Sequence, residues 1–89
     1  MTWEKILEQL AEHEAQYLET ADRRPLIKHL LEVRSILMER REDDQIPLRD
    51  PPLLLLVGEY NSIIRNLPLD IQRENNFSRI GYGKAREER

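Results

Sequence analysis

The chain has 89 residues, of which 39% are hydrophobic and 35% charged, and it contains no cysteine. This balance favours a small folded domain and excludes a disordered chain, a disulfide-stabilised scaffold and any site built from thiolates. The longest apolar run has five residues, against roughly twenty for a membrane-spanning helix. We therefore expect a cytoplasmic protein without membrane contact, with one helical domain in residues 1–83 and a mobile charged tail in residues 84–89.

The net charge is only −3, but the charges are unevenly distributed along the chain. Residues 1–22 hold one basic residue against six acidic ones, whereas residues 23–41 hold six basic residues against two acidic ones. Two neighbouring segments of opposite charge can neutralise each other when they pack side by side.

The first predicted helix covers residues 3–19, and Thr2 is its expected cap. Its apolar stripe follows helical spacing and is formed by Trp3, Leu7, Leu10 and Tyr17. His13 and Glu14 interrupt this stripe, so the middle of the helix is expected to be half exposed or to meet a polar partner.

The second predicted helix covers residues 23–41 and follows a short connection. Asp22 is its expected cap, and Pro25 falls in the first turn, where a missing N–H costs nothing. Its broad apolar stripe is formed by Leu26, Leu30, Val33 and Leu37. Because a short connection makes successive helices antiparallel, the acidic and basic helices are expected to form a hairpin.

Residues 42–49 have no helical period and are predicted to be a loop that touches the core through Ile46 and Leu48. The third helix is expected to begin at Pro51, with Asp50 accepting hydrogen bonds from its first turn, and to end at about Leu67. Its start is the most apolar stretch of the chain, residues 53–57.

Pro68 ends the third helix in this prediction, and a short fourth helix covers residues 69–75. Beyond the turn-prone pair Asn75 and Asn76 the apolar residues lose any regular spacing, so irregular chain is expected up to about residue 83. The predicted fold class is all-α: a small three-helix bundle, made of an antiparallel hairpin and a central apolar helix, with a short fourth helix or irregular C-terminal segment.

Residues 53–57 are apolar over one and a half helical turns, which is more than two neighbouring helices can cover. We therefore expect the third helix to form an isologous homodimer with Gly58 near the symmetry axis. The expected function is a non-enzymatic protein-protein interaction module, as in a phage or mobile-element accessory factor or inhibitor, that binds itself and a further protein. The predicted contact residues are Leu54, Leu55, Gly58, Asn61 and Tyr82.

The basic second helix favours an alternative, a nucleic-acid-binding oligomer such as a small regulator. The residues predicted to contact phosphates are Arg23, Arg34, Arg40 and Arg41. The acidic first helix argues against this alternative, because it can neutralise the second helix across the hairpin.

The sequence predicts no enzyme, no cofactor and no metal site. His13 and Glu14 begin a string that is similar to a zinc-protease motif, but Tyr17 stands where the second histidine ligand is needed. The serines, glycines and His29 fall in no nucleophile or phosphate-binding motif.

Residues 20–73 resemble the oligomerising region of phage terminase small subunits. The likeness lies in the order of the helices, in the proline-led start at Asp50-Pro51-Pro52 and in the helix end at residues 66–70. It implies a DNA-packaging oligomer and assigns no functional residue.

Overall fold

A computed structural model describes residues 3–41, 45–46 and 51–82 of the chain. In order, the elements are α1 (Trp3–Thr20), α2 (Arg24–Glu39), β1 (Gln45–Ile46), α3 (Pro51–Asn66), α4 (Leu69–Glu74) and β2 (Gly81–Tyr82). The predicted all-α bundle with a short fourth helix is confirmed. The expected caps Thr2 and Asp50, the core contact of Leu48 and the tail at 84–89 lie outside the described residues.

The bundle is organised around α1, which packs extensively against both α2 and α3. Helices α1 and α2 form the predicted antiparallel hairpin, since the guanidinium of Arg40 at the end of α2 lies 5.2 Å from the ring centre of Trp3 at the start of α1. Side chains that are fully buried in the core of the three helices include Leu10, Leu26, Leu30, Val33, Leu37, Leu56, Val57 and Tyr60.

The turn between α1 and α2 is tight and is closed by local hydrogen bonds. Ala21 adopts a left-handed conformation with φ of 65°, which lets the chain reverse directly after α1. A carboxylate oxygen of Asp22 accepts from the backbone N–H of Arg24 at 3.2 Å and so satisfies a free donor of the first turn. The N-cap position is nevertheless held by Arg23, without a side-chain capping bond, so the prediction of Asp22 as the cap is wrong by one residue. Helix α2 ends at Glu39, two residues before the predicted end.

Helix α3 contributes seven buried residues, more than any other element in the described part of the chain. Within its apolar start, Leu53, Leu56 and Val57 are buried, Leu54 is half-buried, and Leu55 is 65% exposed. Part of the apolar run therefore stays in solvent in a single chain, as predicted.

The segment after α4 is more ordered than the sequence predicted. Helix α4 ends in a Schellman turn, in which Asn76 has a φ of 54° and the N–H of Phe77 donates to the carbonyl of Gln72 at 2.8 Å. Phe77 and Ile80 are buried against the bundle. We call residues 75–82 the C-terminal strap.

The strap ends in β2, which pairs in parallel with β1, so that Gln45 lies beside Gly81 and Ile46 beside Tyr82. The predictions of an unpaired loop at 42–49 and of irregular chain at 77–83 are therefore wrong for these four residues. The predicted core contact of Ile46 is confirmed, because its side chain is fully buried.

Candidate interaction surface on the third helix

One side of α3 faces away from the bundle, and four residues follow it at helical spacing: Leu54, Leu55, Gly58 and Ser62. Leu55 is 65% exposed, and the other three are half-buried; the side chain of Leu54 packs against the core. We call these four residues the outer row of α3. The sequence predicted three of them as contact residues: Leu55 is accessible, Gly58 is half-buried, and Leu54 packs partly against the core. Their role as contact residues stays a prediction.

Gly58 has no packing role among the residues that the structure describes. A Cβ atom built at this position would meet nothing within 4 Å. Glycine in the interior of a helix costs about 1 kcal/mol relative to alanine, mainly through backbone entropy. The described structure contains no close helix approach that would explain this cost, and Gly58 instead leaves a gap in the outer row beside Leu55.

Asn61, the fourth predicted contact residue, does not lie on the accessible face. It is 8% exposed, its side-chain N–H donates to the carbonyl of Ile80, and its side-chain oxygen accepts from the N–H of Ile80, both at 2.9 Å. The prediction of Asn61 as a surface contact is therefore corrected: Asn61 fastens the strap to α3. The side chain of Tyr82, the fifth predicted contact, lies outside the described part of the chain.

The predicted basic stripe on α2 does not form a continuous open surface. The guanidinium of Arg34 donates to the carbonyls of Asn75 and Asn76 at 2.8 and 3.2 Å and lies 5.5 Å from the ring centre of Phe77. Arg40 covers the ring of Trp3. Arg23 and Arg41 are exposed. Two of the four predicted phosphate contacts thus stabilise the fold, and sequence reasoning missed the part that Arg34 plays in holding the strap.

A buried aromatic pair lies behind Arg34. Tyr60 and Phe77 meet edge to face with ring centres 6.5 Å apart. The Tyr60 hydroxyl makes no hydrogen bond to any described residue, and burial raises the pKa of Tyr60 to about 12. Tyr60 is therefore neutral throughout the physiological pH range and serves packing.

His13 and His29, which are far apart in sequence, stack across the α1–α2 interface. Their ring centres are 4.8 Å apart and their planes are inclined by 25°. Nδ1 of His13 donates to the carbonyl of Gln9 at 2.8 Å. The prediction that the middle of the first helix is half exposed or meets a polar partner is confirmed, because His13 is half-buried and stacks on His29 of α2.

His29 is 9% exposed, and its Nε2 atom makes no hydrogen bond of ordinary geometry to a described residue. The pKa of His29 is lowered, chiefly by burial and to a smaller extent by the neighbouring His13. The backbone of Ile6 and the carboxylate of Glu32 act in the opposite direction. Nδ1 of His29 lies 3.7 Å from a carboxylate oxygen of Glu32. Sequence reasoning gave His29 no acidic partner, although Glu32 stands three residues further along the helix and could have been found from that spacing.

We expect acidification to destabilise the fold through His29. A histidine whose pKa is lower in the folded state than its usual 6.5 contributes stability above pH 6.5, and this contribution is lost as the pH falls towards the folded pKa. His29→Phe keeps an aromatic ring in the stack but cannot take up a proton. Urea unfolding at pH 7.5 and 5.5 should show a smaller loss of stability for His29→Phe than for the wild type, and equal losses would contradict this assignment.

The contribution of Glu14 to stability changes with pH in the opposite direction to that of His29, and it does so in a more acidic range. The pKa of Glu14 is raised above its usual 4.5, chiefly by burial and to a smaller extent by the carboxylate of Glu59 on α3. An acid with a raised pKa gains folded-state stability as the pH falls through that pKa. The comparison between pH 7.5 and 5.5 should therefore be made between variants that share Glu14.

Neither a metal centre nor a transmembrane segment is found in the residues that the structure describes. No three histidine, aspartate or glutamate side chains there are grouped so that they could hold a metal ion. Within the same residues, no helix is long and apolar enough to cross a bilayer. Comparison of the chain with protein-family models, with curated proteins and with solved structures gave no match.

Proposed function

We propose that this chain is a non-enzymatic helical interaction module that self-associates through the outer row of α3. The observation that carries this proposal is the combination of an exposed leucine, Leu55, with an interior helix glycine, Gly58, that has open space in front of it. A cytoplasmic location, a second protein partner and a phage or mobile-element role stay predictions from the sequence.

The outer row suits contact between two copies because it is self-complementary. When two copies of α3 cross antiparallel at Gly58, Leu55 of each copy lies opposite the Ser62 turn of the other. A large apolar side chain then meets a small residue, and the missing Cβ of Gly58 lets the two backbones approach closely. Burial of a leucine side chain contributes about 1.5–3 kcal/mol, so the two symmetric leucines supply the main apolar gain.

Sedimentation velocity at tens of micromolar tests this proposal with a matched pair of variants. Leu55 and Leu69 are 65% and 63% exposed, and both lie within the first five residues of a helix, where a glutamate is tolerated. We expect the wild type and Leu69→Glu to sediment as dimers and Leu55→Glu as a monomer. A monomeric wild type, or equal effects of the two substitutions, would refute it.

Gly58→Ala provides an independent test of the same surface. Alanine has room at this position and favours the helix, so the monomer should become about 1 kcal/mol more stable. The added methyl group should nevertheless weaken the dimer, because it separates the two crossing backbones. A variant that gains stability and associates as strongly as the wild type would show that Gly58 is not a contact.

A further inference from the structure

A shallow cavity of about 200 Å³ lies between α3 and the C-terminal strap. Its walls are formed by Gly58, Asn61, Ser62, Arg65 and Arg79. On α3, the first four of these residues follow one face of the helix next to the strap, and Leu55 lies at the edge of that face, one helical repeat of seven residues before Ser62. The cavity therefore overlaps the outer row at Gly58 and Ser62 but does not contain Leu55, the main apolar side chain of the proposed dimer contact.

Two arginines reach this cavity from different elements. Arg65 belongs to the last turn of α3, and Arg79 belongs to the strap. No acidic residue lines the cavity, and neither arginine forms an ion pair with any residue that the structure describes. Both arginines are exposed residues, and their two positive charges at one cavity would attract an anion.

The backbone at Arg79 is held in place by the residue that follows it. Its neighbour Ile80 is buried and is held by the two hydrogen bonds to Asn61, which itself forms part of the cavity wall. The Ser62 hydroxyl supplies a further donor, and the absent side chain of Gly58 keeps the floor of the cavity open. The cavity therefore offers hydrogen-bond donors from two arginines and a serine, held together by a tertiary contact.

We propose that this cavity binds one oxyanion group, of the phosphate or carboxylate class. Guanidinium groups match the planar oxygen pairs of such anions and form charge-assisted hydrogen bonds with them. A volume of about 200 Å³ corresponds to about seven water molecules at roughly 30 Å³ each. That space fits a single phosphate or carboxylate group and is smaller than the 300–1,000 Å³ of sites for drug-sized ligands.

The test is a two-dimensional NMR titration of the full chain with inorganic phosphate, at an ionic strength held constant with sodium chloride. We expect saturable shifts of the Gly58 and Ser62 amide signals. A parallel titration with acetate separates the two anion classes: saturation by either supports the proposal, and saturation by neither overturns it.

Variants that each remove one positive charge show whether Arg65 and Arg79 bind the anion. Each of Arg65→Gln and Arg79→Gln should weaken the bound anion about tenfold, since a charge-assisted hydrogen bond contributes at least about one factor of ten in affinity. Arg73→Gln removes the same charge from an exposed position of α4 outside the cavity and should change the affinity less than twofold. Equal weakening by Arg73→Gln would overturn the proposal, because it would show only general charge attraction.

The proposed dimer and a bound anion would share Gly58 and Ser62, so the two are expected to compete. Leu55→Glu removes the dimer contact but none of the cavity residues, so this variant should bind phosphate at least as tightly as the wild type. Loss of phosphate binding in Leu55→Glu would contradict a site formed within one chain.

Discussion

Replacement of Asn61 by alanine is expected to lower the free energy of unfolding by about 2–6 kcal/mol. The substitution leaves both the N–H and the carbonyl of Ile80 without the partners that now lie at 2.9 Å. A buried polar group that loses its hydrogen-bond partner costs about 1–3 kcal/mol, and two such groups are affected here. Chemical denaturation measures the total, and hydrogen exchange of the Ile80 amide should show that the strap opens first.

Asn66→Ala is the matched control for this substitution. Asn66 is exposed at the end of the same helix, so its replacement should change stability by less than about 0.5 kcal/mol. Equal stabilities of Asn61→Ala and the wild type would mean that the strap does not depend on this pair of hydrogen bonds. Asn61→Ala should also weaken phosphate binding, because Arg79 loses its fixed position.

Leu10→Ala is expected to destabilise the fold by about 2–5 kcal/mol. Leu10 is fully buried on α1, the helix that packs against both α2 and α3, so its truncation leaves a cavity at the centre of the bundle. A loss of this size is a large part of the 5–15 kcal/mol that stabilises a typical domain. Thermal or urea unfolding of Leu10→Ala and the wild type measures this loss of stability.

Leu18 lies on the same helix and is 74% exposed, so Leu18→Ala removes the same atoms from a position without core contacts. We expect its effect to stay within about 0.5 kcal/mol. Similar losses for Leu10→Ala and Leu18→Ala would show that the packing of α1 differs from the structure described.

The helices could be predicted because their signals are local. Leu26, Leu30, Val33 and Leu37 recur at helical spacing, and all four are fully buried. Pro25, Pro51 and Pro68 mark helix boundaries through the fixed φ angle and missing donor of proline. Three residues predicted in the second helix, Arg23, Arg40 and Arg41, lie outside its observed range Arg24–Glu39.

The strap could not be predicted because its contacts are distant in sequence and lack periodicity. Asn61 and Ile80 are 19 residues apart, and Arg34 and Asn75 are 41 apart. A polar residue on an apolar helix is expected to face solvent unless its partner is known. Asn61 was therefore assigned to the surface, and Arg34 to a phosphate-binding stripe.

The candidate surface on α3 could be predicted only in part, because some of its features are local in sequence and others depend on distant contacts. The exposure of Leu55 follows from an apolar run that is wider than its neighbours can cover, and that width is readable from the sequence. The stacking of His13 on His29 depends on the register of two helices, which helical spacing within each helix does not determine.

The order of the helices along the chain has a consequence for biosynthesis. The α1–α2 hairpin is synthesised before α3, which supplies most of the apolar side chains that complete its core. A nascent chain grows by about 5–20 residues per second, so the hairpin emerges with its apolar face open for seconds before α3 follows. Until translation has passed α3, the growing polypeptide presents a surface that chaperones recognise.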